Sequence, residues 1–548
     1  KTNATDGRQA AKKYAVDLKS TYRKTTTTVN GMTLGAFTGY FRNRDIKKNT
    51  LYKYNEYKEH FVFGIIYSRT DISKIEDYLI SLEITLTATQ KDCLVSYINE
   101  SSDEKWEEVV KKFDKKIAIV FKNQNYSYGD LYNQIKKIED ELLPAIEKGK
   151  VVSILSDYSF ESIALLIALY KNKNIIVPIT TTIESEIKER IEESYSDKII
   201  KIVDNKYLIE EHNSDDKHQM IKNLQDNSQS GLILFSSGST GKPKAMIHNF
   251  DNLVEHYKDK KEKSLNMILF LMFDHIGGLN TLLNILSMGA TMIIPENRNA
   301  DDVCKLLQDY KIMVLPSSPT FLNLILMSKA NEKYDLSSLR MITYGTETMP
   351  DSLLNRLKEA FPRVKFLQTF GTSETGIANT SSKSSNSTFM KIDDPELEYK
   401  IVENELWLKS KTQVMGYLNS SMDSFTEDGW FKTGDLVEAT EDGYIKIIGR
   451  NKEVINVGGE KVLPNEVESL ILEIPEIEDC MVYGEVNIIT GQTVVCDVVL
   501  KYELTQNEIK KIVRKFCKDK LDAYKIPTKV NVVDKTNFGD RFKKIRIK

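Results

Sequence analysis

The sequence predicts an α/β protein in which a large doubly wound domain is followed by a small α+β domain. Residues 151–179 combine an apolar run, a stretch of helical period and a second β-rich run, which is typical of a β-α-β unit. Similar apolar runs recur over the next 200 residues, and helical patterns such as that of residues 302–310 separate several of them. After Arg450 the pattern changes to short strands and two helices, within residues 463–474 and 507–521.

The remaining elements follow from local pattern. The strands that we expect in the large domain are residues 231–235, 267–273, 290–295, 310–316, 339–345 and 364–371. The segment NTSSKSSNST, residues 379–388, is polar and has no period, so it predicts a loop. The Gly458–Gly459 pair predicts a hairpin turn.

The composition is that of an ordinary globular protein. Of its 548 residues, 41% are hydrophobic and 28% are charged, and the net charge of −3 provides no global basic surface for nucleic acid. Five cysteines show no metal-binding spacing, which predicts reduced thiols and a cytoplasmic location. No apolar run reaches 18 residues and the first residues lack an apolar segment, so we expect neither a transmembrane helix nor a leader.

The stretch FSSGSTGKPKAMIH, residues 235–248, predicts a phosphate-binding loop. It differs from the usual NTPase loop, because Pro243 follows Lys242 and Ser236 stands where that loop has its first glycine. Hydroxyls, exposed N–H groups and a lysine suit phosphate oxygens, and glycines let the backbone approach them. A flexible polar loop is the alternative. The candidate residues are Ser236, Ser237, Gly238, Ser239, Thr240, Gly241 and Lys244.

Two carboxylates stand in similar settings. Glu374 lies beside Thr372 in QTFGTSETG, where a carboxylate with neighbouring hydroxyls suits a magnesium ion. Asp435 lies in a glycine turn of WFKTGDL, where a carboxylate can accept both hydroxyls of a ribose. Arg450 follows Gly449 a short distance downstream.

The segments SSGSTGKPK, FGTSE, TGD, GRNK and GGEKVLPNEVE occur in the order found in the acyl-adenylate-forming superfamily, which residues 104–548 resemble. The resemblance implies a large adenylation domain over 104–448 and a mobile C-terminal domain over 449–548. It implies that ATP and Mg²⁺ activate a small carboxylic acid to acyl-AMP with release of pyrophosphate. The acyl group then passes to a thiol of coenzyme A, or of phosphopantetheine on a carrier protein acting in trans.

The resemblance also assigns roles to residues. It implies that Thr240 and Lys244 contact phosphates, that Glu374 and Thr240 bind magnesium, and that Asp435 and Arg450 hold the ribose. Lys452 takes the hinge position of the family. The remaining nucleotide-binding residues are Tyr344, Gly345, Thr346 and Phe370, which wall the adenine, with Gly371 and Thr372.

Two further roles carry alternatives. Lys544, before Ile545, best matches the adenylation lysine of the family's G-K-I motif, and Lys543 is the other candidate. His275 matches the residue that gates the carboxylate. Ile276 occupies the place of the aspartate found in amino-acid-activating relatives, which disfavours an α-amino acid, although a slip of one residue would put Asp274 there.

The first residues carry a second resemblance. Asp17 and Lys19 lie on a predicted strand, as the magnesium-binding acid and the lysine of metal-dependent nucleases do. With residues 32–43 and 52–69 they resemble EcoRV-type restriction endonucleases, so we expect residues 1–95 to be an α/β nuclease fragment. The second acid of that fold is represented only by Asp6. A site-specific DNA endonuclease, with DNA as partner, and a non-catalytic nucleotide-binding module are therefore the alternative functions.

Overall fold

The computed structural model describes residues 28–29, 32–33, 114–212, 214, 216–236, 242–257 and 260–546. Within the predicted nuclease-like segment, it describes only the backbone of two short antiparallel strands, Thr28–Val29 and Met32–Thr33. Asp6, Asp17 and Lys19 lie outside the described residues.

The described part of the large body contains two seven-stranded sheets. From edge to edge, the strands of the first sheet are Gly416–Tyr417, Ala245–Asn249, Gly231–Phe235, Ile175–Ile179, Val151–Leu155, Lys198–Val203 and Lys206–Glu211. The four strands from Gly231–Phe235 to Lys198–Val203 are parallel, and the outer pairs are antiparallel. Ile175–Ile179 and Gly231–Phe235 are buried at every position, because parallel strands are covered on both faces.

A second seven-stranded sheet packs beside the first. Its order is Lys365–Gln368, Met341–Tyr344, Val314–Ser317, Asn266–Ile268, Thr291–Ile293, Ile117–Phe121 and Gln124–Ser127, and all but the last strand run parallel. One buried cluster contains side chains from both sheets, including Ile176 and Leu232 of the first and Ile119 and Met292 of the second.

The helices of the large body separate and cover these sheets. They are Tyr128–Glu141, Phe160–Lys171, Glu184–Glu193, Gln219–Asp226, Phe250–Glu255, Ile276–Met288, Ala300–Asp309, Pro319–Met327, Ala330–Lys333 and Asp351–Ala360. The helix Phe160–Lys171 is buried from Phe160 to Tyr170, which explains why its sequence is apolar on every face. Ser159 begins it by accepting the N–H of Ser162 at 3.1 Å.

A six-stranded antiparallel sheet follows along the chain. Its order is Thr380–Ser382, Met390–Ile392, Ile445–Arg450, Phe431–Ala439, Glu405–Ser410 and Leu397–Val402. A separate two-stranded hairpin joins Phe370–Thr372 to Gly376–Ala378. The predicted loop at 379–388 is therefore wrong in its first part, because Thr380–Ser382 pairs with Met390–Ile392.

The small domain is built on five strands. Glu460–Val462, Ile455–Val457, Gly491–Leu500 and Ile477–Asn487 pair antiparallel, and Lys529–Val532 adds a parallel strand to Gly491–Leu500. The helices Pro464–Ile471 and Gln506–Cys517 pack on this sheet around a separate buried cluster. Single-turn 3₁₀ helices lie at Leu143–Ala145, Asn451–Glu453 and Ala523–Lys525.

The predicted α/β class and the order of a large and a small domain are confirmed. The β-α-β unit at 151–179 and the Gly458–Gly459 hairpin are present. The strand expected over 267–273 covers only Asn266–Ile268. Four described cysteines, Cys304, Cys480, Cys496 and Cys517, are unpaired and buried.

Among the described residues, no helix is both long enough and apolar enough to cross a bilayer.

The buried helix Phe160–Lys171 provides a test of the core. Leu165 is fully buried, and replacing it with alanine removes apolar contacts and leaves a cavity. Leu165→Ala should lower the free energy of unfolding by about 2–5 kcal/mol, measured by urea denaturation. Leu208→Ala is the matched control, since Leu208 is 49% exposed and its loss should change stability by less than about 0.5 kcal/mol. Equal losses in the two variants would contradict this assignment of the core.

Candidate functional site

A cavity of about 800 Å³ opens where the parallel strands of the second sheet end and the tail of the small domain enters. Residues at or just after the carboxyl ends of three strands line it, at Ser317, Gly345 and Thr369. The crevice at the carboxyl ends of open parallel sheets is where α/β proteins bind ligands. Arg450, Lys452, Arg541 and Lys543 also line it.

The predicted phosphate loop opens into this cavity at its two ends. Ser236 follows the strand Gly231–Phe235 and Lys244 precedes the strand Ala245–Asn249, and both line the cavity. The N–H of Ser236 donates to the Lys244 carbonyl at 3.1 Å, and the Lys244 N–H donates to Ser236 Oγ at 3.2 Å. These bonds close the base of the loop. The other loop candidates, Ser237, Gly238, Ser239, Thr240 and Gly241, lie outside the described residues.

Glu374 lines the cavity from the turn between the strands Phe370–Thr372 and Gly376–Ala378. Its Oε1 accepts the hydroxyl of Tyr417 at 3.0 Å. Burial, with the nearby Glu374 carboxylate, raises the pKa of Tyr417, so this phenol stays protonated and donates. The Tyr417 ring also lies 4.5 Å from Lys244 Nζ, and therefore connects the predicted magnesium ligand to the phosphate loop.

Asp435 and Arg450 face each other across two antiparallel strands. They are register partners, and Arg450 Nε donates to Asp435 Oδ1 at 2.9 Å. Burial raises the pKa of Asp435, while Arg450 acts in the opposite direction. Arg450 and the neighbouring Gly434 line the cavity, and Glu405 holds the Gly434 N–H at 2.8 Å. Arg450 thus presents a guanidinium to the cavity and is held by the buried carboxylate of Asp435. Asp435 lies within the strand Phe431–Ala439, and not in a turn after a strand as predicted.

Most of the residues predicted to wall the adenine, and the two neighbours predicted to bind the nucleotide with them, lie at the cavity. Gly345, Thr346, Phe370, Gly371 and Thr372 line the cavity, whereas Tyr344 is buried in the core of the second sheet. A Cβ on Gly345 would lie 2.7 Å from the carbonyl oxygen of Thr369, so only glycine allows these two segments to approach so closely. Thr346 has a φ of +69°, and its buried hydroxyl has no hydrogen-bond partner among the described residues.

His275 lines the cavity as the N-cap of the helix Ile276–Met288, and its Nδ1 accepts the Gly277 N–H at 3.1 Å. Burial, with the positive charges of Lys543 and Arg541, lowers the pKa of His275, so the ring is neutral and carries its proton on Nε2.

Asp274 is buried beside His275 and is paired with two guanidiniums. Its Oδ2 lies 3.1 Å from Arg190 and 3.2 Å from Arg541. The Asp274 charge is therefore neutralised by arginines of the protein.

The tail separates the two adjacent lysines. Lys543 lines the cavity, and burial followed by repulsion from Arg450 and Arg541 lowers its pKa to about 8. Lys544 Nζ instead lies 3.2 Å from Asp479 and 3.6 Å from Glu468, both in the small domain. Burial opposes the charge of Lys544, but these carboxylates raise its pKa above that of an ordinary lysine. The structure therefore brings Lys543, and not Lys544, to the other site residues.

Sequence reasoning missed several residues that shape the site. Tyr417 donates to the carboxylate of Glu374, and Glu405 accepts the N–H of Gly434. In the tail, Arg541 binds Asp274, and Glu347 accepts the N–H of Lys544. Tyr417 and Glu405 lie in unremarkable strand sequences, so no local pattern marks them. The signal for Arg541 is its place two residues before Lys543 in a basic tail.

Three family models match the chain. The AMP-binding enzyme model matches residues 106–418, and the model of the AMP-binding enzyme C-terminal domain matches residues 466–538. The model of restriction endonuclease EcoRV matches residues 3–102. The predicted resemblances to both families are therefore confirmed.

Several curated relatives are CoA ligases. The chain is 28% identical to a 2-succinylbenzoate–CoA ligase of Bacillus licheniformis over 55% of this chain and 66% of the relative. It is 31% identical to the probable CoA ligase CCL5 of Humulus lupulus, over 46% of this chain and 50% of that protein. It is 26% identical to the peroxisomal OPC-8:0-CoA ligase 1 of Arabidopsis thaliana, over 75% and 85%. The first two matches thus span half to two thirds of the relatives' lengths.

Solved structures agree in fold. The anthranilate CoA ligase AuaEII in complex with anthranoyl-AMP has a TM-score of 0.66 at 19% identity, covering 80% of this chain and 94% of that one. The o-succinylbenzoate CoA synthetase of Bacillus subtilis in complex with its acyl-adenylate has a TM-score of 0.62 at 21% identity, covering 80% and 96%. Because the AMP-binding enzyme model spans more than half of the sequence, this chain belongs to the AMP-binding enzyme family.

Proposed function

We propose that the protein is an acid–thiol ligase that uses ATP and Mg²⁺ to convert a carboxylic acid to acyl-AMP. Pyrophosphate leaves, and the acyl group then passes to the thiol of coenzyme A or of a carrier protein's phosphopantetheine. The observation that carries the proposal is the convergence of Lys244, Glu374, Arg450 and Lys543 on one cavity. The CoA-ligase relatives support it, and so do the solved structures with bound acyl-adenylates.

The chemistry requires charge neutralisation more than covalent participation by the protein. A carboxylate oxygen bonds to the α-phosphorus while the bond from that phosphorus to the pyrophosphate oxygen breaks. No proton moves in this step, so the cationic side chains serve to stabilise charge on the phosphates. In the second step the thiol sulfur, having lost its proton, bonds to the acyl carbon and AMP leaves.

Glu374 would hold Mg²⁺, together with the predicted ligand Thr240. The donor set fits this ion, because Glu374 offers one carboxylate, which the Tyr417 hydroxyl orients. The described residues contain no cluster of three or more metal-binding side chains, so protein side chains would supply only part of the coordination. Magnesium in nucleotide sites is held by one or two carboxylates and the substrate phosphates. When bound, it would neutralise phosphate charge.

The nucleoside is assigned to residues of the antiparallel sheet and of the strand ends that line the cavity. Asp435 would accept the ribose hydroxyls beside Arg450, and the backbone of Gly345, Thr346 and Gly371 would approach the adenine. Phe370 supplies an aromatic face. Lys452, in the single helical turn Asn451–Glu453 between the antiparallel sheet and the small domain, keeps its proposed place as the hinge.

The acid is inferred to lack an α-ammonium group. Asp274 is the carboxylate that a one-residue shift would offer to such a group, and it is already paired with Arg190 and Arg541. Near neutral His275, the cavity is lined by apolar side chains and by small polar ones. The apolar residues are Leu271, Ile276, Pro316 and Ile377, and the polar ones are Asn280, Thr281 and Ser317. This lining favours an acid with a largely apolar, uncharged body.

Lys543 is the better candidate for the adenylation lysine. It lines the cavity, and the residue before it, Phe542, has a φ of +51°. A left-handed conformation is one that favours glycine, and the family motif has a glycine directly before its lysine. The proposal therefore moves the catalytic role from Lys544 to Lys543. A cytoplasmic location, as predicted from the cysteines, belongs to the same proposal.

The activity can be tested by exchange of labelled pyrophosphate into ATP. Exchange should require Mg²⁺ and one acid from a panel of aliphatic and aromatic acids, with little response to α-amino acids, because the reverse of adenylation needs enzyme-bound acyl-AMP. Thioester formation with coenzyme A, and separately with a phosphopantetheinylated carrier, would identify the acceptor. Exchange without any acid, or with no acid of the panel, would contradict the proposed activity.

The lysine assignment predicts a pH profile. Lys543 must be protonated to stabilise phosphate charge, so kcat/KM for exchange should fall as pH rises through about 8, the pKa to which burial lowers this lysine. Lys543→Ala should reduce exchange about 10²–10³-fold, as loss of a preorganised donor does. Lys543→Arg should remove the decline near pH 8, since an arginine keeps its charge. Lys544→Met is the adjacent control and should keep that decline. If Lys544→Met loses exchange while Lys543→Ala keeps it, the role returns to Lys544.

The match of residues 3–102 to restriction endonuclease EcoRV favours a second candidate function, DNA cleavage. The full chain would then linearise a supercoiled plasmid in Mg²⁺, and Asp17→Ala would abolish cleavage because it removes the proposed metal ligand. Lys543→Ala is the control and should cleave normally. Our expectation is that the full chain leaves the plasmid intact, since only Asp6 stands for the second acid of that fold; specific cleavage lost in Asp17→Ala would overturn it.

A further inference from the structure

The segment around Lys543 forms a short hairpin that reaches from the small domain to the large body. The Ile545 N–H donates to the Asn537 carbonyl at 2.9 Å, and the Gly539 N–H donates to the Lys543 carbonyl at 3.1 Å. The tip of this hairpin is therefore held in shape by its own backbone. What holds it against the large body is a separate set of contacts.

Two side chains of the tip bind the large body on one side of Lys543. Arg541 pairs with Asp274 at 3.2 Å and donates to the Phe235 carbonyl at 3.3 Å, one residue before Ser236. The ring of Phe542 packs on Phe270 and Phe321, with ring centroids 5.5 and 5.0 Å apart. These contacts anchor the tip beside the phosphate loop.

On the other side of Lys543, one large-domain carboxylate holds the backbone. Glu347 Oε1 accepts the Lys544 N–H at 2.6 Å. Its Oε2 accepts the hydroxyl of Thr320 at 2.6 Å and the N–H of Thr320 at 3.2 Å, in the first turn of the helix Pro319–Met327. Both oxygens are therefore engaged, one by the helix and one by the tail.

Lys544 joins the two parts of the protein. Its N–H binds Glu347 of the large body, while its ammonium is held by Asp479 and Glu468 of the small domain. Small movements of the tail relative to the large body must therefore break the Glu347 bond, whereas the bonds of the Lys544 side chain would move with the small domain.

We propose that Glu347 is a positioning residue that docks the tail hairpin, by accepting the Lys544 N–H, so that Lys543 enters the cavity during acyl-AMP formation. This inference rests on the proposed function, in which Lys543 acts in the first half-reaction. Lys543 is assigned to stabilising phosphate charge while acyl-AMP forms, so the docking bond should matter in that half-reaction and not in the second, where the thiol attacks acyl-AMP. Glu347 thereby assists one half-reaction without touching a substrate.

Glu347→Gln is the most selective variant. The glutamine amide has one acceptor oxygen, and the hydroxyl and N–H of Thr320 would continue to donate to it. The amide NH₂ would then face the Lys544 N–H, and two donors cannot form a hydrogen bond. Loss of a hydrogen bond to a charged group should slow pyrophosphate exchange about ten- to a hundredfold, in kcat rather than in KM for ATP. Thioester formation from supplied acyl-AMP, made from the acid found in the panel, should stay within about twofold. Glu347→Asp, which keeps the charge, should recover part of the exchange rate.

A second readout requires no acid and no activity. Native trypsin cleavage of the tail, at Arg541, Lys543 and Lys544, measures the undocked fraction of the hairpin. Glu347→Gln should raise the cleavage rate about tenfold or more, and Phe542→Ala should also raise it without altering the large body. Asp351→Asn is the matched control, since Asp351 also binds a threonine and a lysine, Thr388 and Lys446, away from the tail. It should leave cleavage unchanged.

The outcomes separate the two proposals. If no acid supports exchange in the wild-type protein but tail cleavage responds to Glu347→Gln, the proposed function fails and the docking bond stands. Tail cleavage equal in wild type, Glu347→Gln and Asp351→Asn would overturn the docking role. Equal loss in both half-reactions would also overturn it, because a structural defect would affect both. Melting curves must show that each variant is folded at the assay temperature.

Discussion

The site depends on gathering positive charge at one cavity. Arg450, Arg541 and Lys543 line it together, and their repulsion adds to burial in lowering the pKa of Lys543 to about 8. Each arginine is held by a carboxylate, Arg450 by Asp435 and Arg541 by Asp274, whereas Lys543 has only weaker attraction from Glu347 and Asp435. The cavity therefore favours a polyanionic ligand, since a phosphate chain would offset the repulsion between Lys543 and the two arginines.

Strand direction explains how distant segments meet there. Ser317, Gly345 and Thr369 end or follow neighbouring parallel strands of the second sheet, so their order in space follows the strand order. The antiparallel sheet contributes differently, because Asp435 meets Arg450 through strand register. The small domain adds Lys543 from a hairpin near the end of the chain. Three structural units thus contribute to one site, and an ion pair, a hydrogen bond and aromatic packing hold the tail against the large body.

Local pattern was sufficient for the regular parts of the fold and for residues in ordered motifs. The β-α-β unit at 151–179 was predictable because its apolar runs are buried on both faces, and Glu374 was predictable because it follows a strand in a marked turn. Asp435 and Arg450 were marked by their motifs, but Asp435 lies within the strand Phe431–Ala439 and Arg450 ends the strand Ile445–Arg450. The loop predicted at residues 379–388 was wrong in its first part because the strand there is short and polar, and forms by pairing with Met390–Ile392. Glu347 and Tyr417 were missed because their roles arise from partners 197 and 43 residues away.

The adjacent lysines show most clearly what local sequence lacks. Lys543 and Lys544 are chemically identical neighbours, and successive side chains on an extended hairpin point to opposite sides. Their surroundings therefore differ: a cavity lined by arginines for Lys543, and the carboxylates of Asp479 and Glu468 for Lys544.

Phe542 explains how the tip of the hairpin is held in this register. A left-handed backbone without glycine costs about 1–2 kcal/mol, but the phenyl ring packs on Phe270 and Phe321, where glycine would offer no contact. The residue that strains the turn is thus also the one that attaches it to the large body.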